Sequence, residues 1–205
     1  MNRLATPRCS PEAVLEHVRD GSDVIVGVGN GEPRAVLDVI EATTQRLFDF
    51  LDENAGVEFW PVDYTNDPRR VALEDDMVAI NASLEVDFLG QCASESLGSD
   101  YWSSSGGQPD FARGAVMAAR GRSYIVLHST TSDATVSRIV PQLHPGAAVT
   151  TFKNVVDCVV TEHGIAELRG SSIRERTRRL IAIAHPRFHD ELERAARAMG
   201  YLAAP

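Results

Sequence analysis

The sequence is poor in the residues that form disulfide frameworks and metal sites. Its three cysteines, Cys9, Cys92 and Cys158, lie far apart and form no CxxC pair. They are too few for a disulfide scaffold, so a reducing compartment, the cytoplasm, is the expected location. The histidines form no HExxH motif and no recognisable pairing with a serine or aspartate, and the sequence predicts no metal site.

The chain also lacks long apolar runs and an excess of positive charge. No segment approaches the roughly 18 apolar residues of a membrane span, and the N-terminus has no signal-peptide pattern. The sequence has nineteen arginines and one lysine, Lys153, but 29 acidic residues, so its formal net charge is −9. Nucleic acids and anionic membranes are therefore not expected partners. The densest basic cluster comprises Arg174, Arg176, Arg178 and Arg179. It is predicted to be a solvated helix face, and a face that meets phosphates is the alternative interpretation.

The remaining composition is that of a globular protein in which helix and strand patterns alternate. Hydrophobic residues make up 43% of the 205 residues and charged residues 24%, enough for one or two cores. Short apolar runs predict strands at 23–29, 57–60, 77–80, 84–89, 124–127 and 155–160. Capping residues and amphipathic spacing predict helices at 10–21, from Pro33, and at 111–120, 172–184 and 188–199. The alternation predicts an α/β fold.

A glycine-rich turn follows the first predicted strand. It reads Gly-Val-Gly-Asn-Gly over residues 27–31, and a helix N-terminus behind such a turn can hold a phosphate. The spacing differs from the dinucleotide-binding fingerprint, however, and Glu32 places a negative charge where a pyrophosphate would lie. A plain tight turn is the favoured interpretation, and a Rossmann fold is rejected.

A second glycine-rich segment is the stronger candidate for a binding site. Residues 103–108 read Ser-Ser-Ser-Gly-Gly-Gln and run directly into a predicted helix. Paired glycines let a ligand approach the main chain and let several N–H groups converge on one oxygen. A flexible Ser/Gly loop without a ligand is the alternative interpretation.

Six collinear segments together resemble the acetyl-CoA hydrolase/transferase family. They are VDYTNDP at 62–68, AINASLEVD at 79–87, GGQPDFARGA at 106–115, SRIVP at 137–141, VTEHGIAELRG at 160–170 and LIAIAHP at 180–186. An ordered set of this kind is far more specific than any single motif. The resemblance covers about residues 47 to 205, which it identifies as the family's C-terminal domain, and leaves 1–46 as a shortened N-terminal helix-strand-helix piece.

The resemblance implies an open, largely parallel α/β sheet of the CoA-transferase type and a reaction with acyl-CoA. Family members move CoA between an acyl-CoA and a small carboxylic acid, or hydrolyse the thioester, and CoA is a substrate so that no cofactor is needed. An enzyme glutamate attacks the thioester and forms a glutamyl anhydride and then a glutamyl-CoA intermediate. The resemblance assigns the thioester-binding site to Ser104, Gly106, Gly107, Gln108 and Asn81.

The sequence departs from the family pattern at two places. Ser104 stands where the family loop has a glycine, and a left-handed backbone at that position would be costly for serine. The central segment that carries the nucleophilic glutamate has no counterpart, so the catalytic residue is left unassigned. A CoA-binding module without catalysis, or a remnant that needs a partner chain, is therefore the alternative to an active enzyme. Apolar surface left uncovered by the missing segment predicts homo-oligomers.

Overall fold

The computed structural model describes residues 24–26, 52–53, 55 and 60–203 of the chain. The described strands are β1 (Val24–Val26), β2 (Val78–Ala82), β3 (Glu85–Asp87), β4 (Cys92–Ala93), β5 (Ser96–Leu97), β6 (Asp100–Tyr101), β7 (Arg122–Val126), β8 (Ile139–Val140), β9 (Cys158–Thr161) and β10 (Gly164–Glu167). The described helices are α1 (Val62–Thr65), α2 (Pro68–Val71), α3 (Gln108–Met117), α4 (Ile173–Ile183) and α5 (His189–Ala198), with a 3-10 turn at Pro186–Phe188. The predicted helices at 10–21 and from Pro33, the turn at 27–31 and most of the strand at 57–60 lie outside the described residues.

The main sheet has the strand order β1-β2-β7-β9-β10. The first four strands pair in parallel, and β10 pairs antiparallel with β9. Parallel strands are connected by crossovers, so their carboxyl ends meet at one edge of the sheet and helices cover its faces. The predicted α/β class with an open, largely parallel sheet is confirmed, whereas the antiparallel edge strand β10 was not predicted.

Helix α3 is the helix of the crossover from β2 to β7, which also contains β3 to β6. Its direction determines where the glycine-rich segment lies. Ala115 of α3 packs with Met77 and Ala79 in one apolar cluster. Near the end of the crossover, the Asp76 N–H donates to the Ala119 carbonyl oxygen at 2.8 Å. Helix α3 therefore runs antiparallel to the strands, and its N-terminus lies at the carboxyl edge of the sheet.

Helices α4 and α5 cover the same face of the sheet farther along, over β7 and β9. Ile125 and Val159 lie side by side in these two strands and pack with Leu180 and Ile183 of α4 and Leu192 of α5. Full burial of such side chains contributes roughly 1.5–3 kcal/mol each. The largest described apolar cluster thus fixes α4 and α5 to the sheet.

Two helix predictions change at their ends. Helix α3 begins at Gln108 and not at residue 111, because Gly107 is the N-cap and a proline occupies the first turn. In α4 the predicted capping box of Ser172 and Glu175 is present. Ile173, predicted on the buried face, is 48% exposed, and Thr177 is buried there instead.

Arg176 corrects the prediction that the basic cluster is a solvated face. Its Nη1 group donates to the carbonyl oxygens of Leu89 and Lys153, both at 2.9 Å. Burial of this guanidinium lowers the pKa of Arg176 below its ordinary value. Arg176 therefore ties α4 to the turn between β3 and β4. The exposed members of the cluster are Arg174, Arg178 and Arg179.

Two small sheets flank the main one. Strand β3 lies between β4 and β8, antiparallel to the first and parallel to the second. Strands β5 and β6 form a hairpin just before the glycine-rich segment 103–108. None of the described helices is both long enough and apolar enough to cross a membrane.

Candidate functional site

The carboxyl edge of the main sheet brings Asn81 and the glycine-rich segment to the same place. Asn81 is the fourth residue of β2, and strand alternation puts its side chain on the same face as Ala79, which packs under α3. Because α3 runs antiparallel to β2, Asn81 lies at the end of the strand where α3 begins with Gln108. The structure thus groups residues that are 27 positions apart in the sequence.

The glycine loop, defined as residues 103–107, changes from a left-handed to a right-handed backbone conformation at its two glycines. Gly106 has φ +56°, and Gly107, the N-cap of α3, has φ −86° and ψ −3°. Alternation between left-handed and right-handed conformations makes successive N–H groups point into one concavity. In the described part of the chain, the N–H groups of Ser105, Gly106 and Gly107 donate to no protein acceptor. These three donors are available to a ligand oxygen at a helix N-terminus.

Ser104 does not carry the backbone cost that its position predicts. It is absent from the residues with positive φ, and the left-handed conformation is found two residues later, at Gly106. Ser104 is exposed, and its carbonyl oxygen accepts a hydrogen bond from the hydroxyl of Ser103 at 3.0 Å. Replacement of the family's glycine by serine is therefore compatible with the loop.

Two buried amides lie at the same edge of the sheet, at the end of β2 and at the start of α3. Asn81 is 5% exposed and Gln108 is 7% exposed. Neither Asn81 Nδ2 nor Gln108 Nε2 has a hydrogen-bond partner among the described residues. A buried amide without a partner costs roughly 1–3 kcal/mol, so both N–H donors are held in an unfavourable state unless a ligand accepts from them.

Asn66 is a further residue of the site that the sequence analysis did not single out. A Cβ added to Gly107 would lie 2.6 Å from Asn66 Nδ2 and 2.8 Å from the ring of Phe111. The Thr65 hydroxyl donates to Asn66 Oδ1 at 3.0 Å, which orients the amide. The only available signal was the family-like segment 62–68, in which Asn66 lies.

A fixed carboxylate stands at the same edge of the sheet, after β9. The backbone N–H of Ser129 donates to Glu162 Oε2 at 2.9 Å, and the Ser129 hydroxyl donates to Oε1 at 2.5 Å. Burial raises the pKa of Glu162, but these hydrogen bonds outweigh burial and hold the pKa below its ordinary value. His163 Nε2 lies 3.6 Å from Glu162 Oε1. Glu162 is thus an ionised, half-exposed group whose fixed position the sequence analysis missed.

A second carboxylate and histidine pair lies beside β3. Glu85 is 1% exposed, and His144 donates to it from its backbone N–H at 2.9 Å and approaches it through Nδ1 at 2.5 Å. The sequence predicts no recognisable pairing of a histidine with a serine or aspartate, and it gives no signal for this glutamate partner, which is 59 residues distant. Across the described part of the chain, no three His, Cys, Asp or Glu side chains are grouped to hold a metal ion.

Comparison with known proteins places this geometry in a family. Residues 43–196 match the acetyl-CoA hydrolase/transferase C-terminal domain. The chain belongs to the acetyl-CoA hydrolase/transferase family. The glycine loop, Asn81, Ser129 and Glu162 all lie within the matched region of this family. The predicted division of the chain between residues 46 and 47 stays a prediction.

Two curated proteins similar to this chain are longer CoA transferases. The chain is 53% identical over 156 residues to succinyl-CoA:cyclohexane-1-carboxylate CoA transferase of Geobacter metallireducens, a match that covers 76% of this chain and 36% of the relative. It is 48% identical over 149 residues to 4-hydroxybutyrate coenzyme A transferase of Clostridium kluyveri, covering 73% of this chain and 35% of the relative. The chain spans about a third of the length of these curated relatives.

Solved structures in the same family share the fold. RipA from Yersinia pestis aligns with a TM-score of 0.82 at 32% identity, covering 98% of this chain and 55% of RipA. A 4-hydroxybutyrate CoA-transferase from Porphyromonas gingivalis aligns with a TM-score of 0.72 at 32% identity, covering 92% of this chain and 54% of the other. The CoA-transferase type of fold that the sequence predicts is thereby confirmed.

Proposed function

We propose that this chain binds the thioester of a short-chain acyl-CoA at the glycine loop. In the proposed reaction CoA moves between the acyl-CoA and a small carboxylic acid, or water hydrolyses the thioester. Membership of the family and the names of the relatives support this reaction class. CoA is a substrate in this proposal, which includes no further cofactor and neither nucleic acid nor membrane as a partner.

The observation that carries the proposal is the set of unused donors at one end of α3. Three backbone N–H groups in the glycine loop and the amide nitrogens of Asn81 and Gln108 make no hydrogen bond among the described residues. A thioester carbonyl develops negative charge on its oxygen when a nucleophile attacks its carbon. Donors placed at that oxygen before the reaction stabilise the oxyanion without reorganisation.

The role of each group in this proposal follows from its chemistry. The N–H groups of Gly106 and Gly107 donate to the thioester oxygen, and the buried amides of Asn81 and Gln108 add donors from below. Attack by a carboxylate or by water gives a tetrahedral oxyanion, which collapses with cleavage of the C–S bond and release of the CoA thiolate. The attacking group in the transfer reaction is not assigned to any described residue.

A CoA-binding module without its own catalysis is the second candidate. It is favoured because the proposal assigns no attacking carboxylate among the described residues. In this alternative the glycine loop holds the thioester, and a partner chain supplies the attacking carboxylate. Both candidates use the same donors, so acyl-CoA binding is common to them and acyl exchange separates them.

The first experiment measures acyl exchange and binding on the purified protein. The protein is incubated with acetyl-CoA and propionate or succinate, new acyl-CoA is followed by chromatography, and acetyl-CoA affinity is measured by calorimetry. Exchange supports the transferase, and binding without exchange supports the module. Absence of both contradicts the proposed function.

Variants of the buried amide distinguish a ligand-binding role from a structural one. In Gln108→Met the unpaired donor is removed at similar volume, so we expect the thermal midpoint to hold or rise while acetyl-CoA affinity falls about five- to tenfold, as for one lost hydrogen bond. The matched control is Thr177→Val, which removes a buried hydroxyl that likewise has no partner among the described residues. Thr177 lies in α4, which packs on β9 and β10, so its substitution should leave binding unchanged.

We also propose a reducing, cytoplasmic location and a homo-oligomeric state. Cys92 and Cys158 are free thiols, and burial raises the pKa of Cys158 to about 12, which keeps this thiol protonated and unreactive. Unpaired buried cysteines are typical of proteins in reducing compartments. Non-reducing electrophoresis of protein taken directly from cells tests the first part of this proposal.

A further inference from the structure

The glycine loop begins at the open end of the β5–β6 hairpin, where backbone hydrogen bonds tie its start to Glu95. The backbone N–H groups of Trp102 and Ser103 both donate to the Glu95 carbonyl oxygen, at 2.8 and 3.3 Å. Among the described residues, the backbone N–H groups of Ser104 and Gly106 make no hydrogen bond. Glu95 therefore fixes, together with the hairpin, the position at which the loop starts.

The Glu95 side chain is in turn held by Thr150. The Thr150 hydroxyl donates to Glu95 Oε1 at 3.1 Å and accepts from the Ser94 N–H at 3.0 Å. Thr150 is 5% exposed, so water does not readily replace either bond. A single buried hydroxyl thus fixes both the backbone before Glu95 and the side chain of Glu95.

The segment that carries Thr150 is anchored to the interior. The N–H groups of Thr150 and Thr151 donate to the Cys92 carbonyl oxygen, and the Cys92 N–H donates back to Thr151. Six residues before Thr150, the backbone N–H of His144 donates to the buried Glu85 carboxylate, and two residues before it the Ala148 N–H donates to the Ser96 hydroxyl at 2.8 Å. These hydrogen bonds therefore fix the segment from which the Thr150 hydroxyl extends.

We infer that Thr150 and Glu95 are positioning residues, whose hydrogen bond places the glycine loop for thioester binding. Neither side chain contacts the thioester. They act through the Glu95 carbonyl oxygen, which fixes Trp102 and Ser103 at the entrance of the loop. The inference rests on the proposed function for its ligand, but the contact between Thr150, Glu95 and the loop is tested without a ligand below.

The test compares Thr150→Val with Thr150→Ser. Valine matches the shape of threonine but removes both hydroxyl bonds, whereas serine keeps the hydroxyl and loses one methyl group. The backbone bonds of Thr150 and Thr151 to Cys92 persist in both variants. We expect acetyl-CoA affinity to fall roughly three- to tenfold in Thr150→Val and to stay near wild type in Thr150→Ser.

The second readout reports the loop directly. The sequence has two tryptophans, Trp60 and Trp102, so the variants are made in a Trp60→Phe background in which Trp102 is the only tryptophan. Trp102 stands at the loop entrance, and we expect its emission and its quenching by acrylamide to change in Thr150→Val but not in Thr150→Ser. Thermal midpoints identify any variant that has simply lost its fold.

Two Glu95 variants show whether the effect of Thr150→Val is only a general loss of stability. Glu95→Gln keeps an acceptor oxygen at the same distance and should behave as wild type, whereas Glu95→Met keeps the length without an acceptor and should reproduce Thr150→Val. Equal acetyl-CoA affinity and equal Trp102 quenching in Thr150→Val and Thr150→Ser overturn the inference. If the wild type does not bind acetyl-CoA, the proposed function fails, and the fluorescence comparison still decides whether Thr150 positions the loop.

Discussion

At the scale of single residues, the two central glycines of the loop are required for different reasons. Gly106 has φ +56° with open space where a Cβ would lie, so glycine is required there for its left-handed backbone conformation and not for lack of space. Gly107 has an ordinary φ, but a Cβ there would collide with Asn66 and Phe111. A side chain at Gly106 costs roughly 1–2 kcal/mol of backbone energy, whereas one at Gly107 displaces the neighbouring side chains. The sequence motif shows two equivalent glycines, and only the structure separates their roles.

The hydrogen bonds from Ser129 to Glu162 give a pH-dependent prediction. The folded-state pKa of Glu162 lies below its ordinary value of 4.5, so the ionised carboxylate stabilises the fold above that pH. This contribution is lost as the pH falls through the folded-state pKa. We expect Ser129→Ala to lower the free energy of unfolding by about 1 kcal/mol near neutral pH. This is the contribution of one hydrogen bond to a carboxylate, reduced because Glu162 is partly exposed to solvent.

Thermal midpoints of wild type and Ser129→Ala at about pH 7 and about pH 3.5 check this prediction. The difference between the two proteins should be roughly 2–4 °C at the higher pH and smaller at the lower one. The matched control is Ser137→Ala, because Ser137 donates to the Ile139 carbonyl oxygen and not to a carboxylate. A Ser129→Ala effect that is independent of pH would contradict the assignment.

At the scale of elements, the orientation of α3 depends on a close contact with α2. A Cβ added to Gly114 would lie 2.4 Å from Cβ and Cγ1 of Val71 and 3.2 Å from the Pro68 carbonyl oxygen. Alanine is otherwise favoured over glycine in a helix by about 1 kcal/mol. Glycine at this position therefore allows α2 and α3 to approach, and the approach places the N-terminus of α3 at the edge of the sheet.

We expect Gly114→Ala to destabilise the protein by about 1–2 kcal/mol, because overpacking outweighs the gain in helix propensity. Val71→Ala removes the colliding Cγ1 atom but keeps Cβ, so it should rescue the variant only in part. The double variant Val71→Ala/Gly114→Ala should therefore be more stable than the sum of the two single effects predicts. Chemical denaturation of the four proteins measures this coupling, and strict additivity would refute the contact.

Boundaries of elements show where local sequence signals are sufficient. Ser172 and Glu175 specify the start of α4 through side chains three residues apart, and the capping box forms as predicted. The antiparallel strand β10 has no comparable local signal, because Gly164–Glu167 becomes a strand through pairing with β9. Thr177 likewise reads as a polar residue on a solvated helix but is fully buried.

At the scale of the whole molecule, large aromatic side chains remain exposed. Trp60 is 52% exposed, Tyr101 64% and Trp102 76%, and Trp60 stacks on Tyr64 with ring centroids 4.8 Å apart. Exposed aromatic groups favour contact with other chains because burial removes apolar area from water. This surface is consistent with the prediction that the chain self-associates.

Light scattering after size-exclusion chromatography tests the association. We expect a mass above that of one 22.3 kDa chain, with a population that shifts toward smaller species on dilution. Trp60→Ser and Trp102→Ser together should shift the population further toward the monomer, while an exposed polar substitution such as Asp63→Ser should not. A monodisperse monomer at high concentration would contradict the prediction.

The sequence by itself determined the fold class, the family and the location of the glycine loop. Strand burial, helix capping and paired glycines are local patterns, and collinear segments such as 79–87 and 106–115 accumulate specificity along the chain. The tertiary structure alone decided which groups meet. Asn66 lies behind Gly107, Ser129 holds Glu162, and Thr150 holds Glu95, at separations of 33 to 55 residues for the last two pairs. Such contacts are set by sheet order and by the direction of α3, which no local pattern of residues encodes.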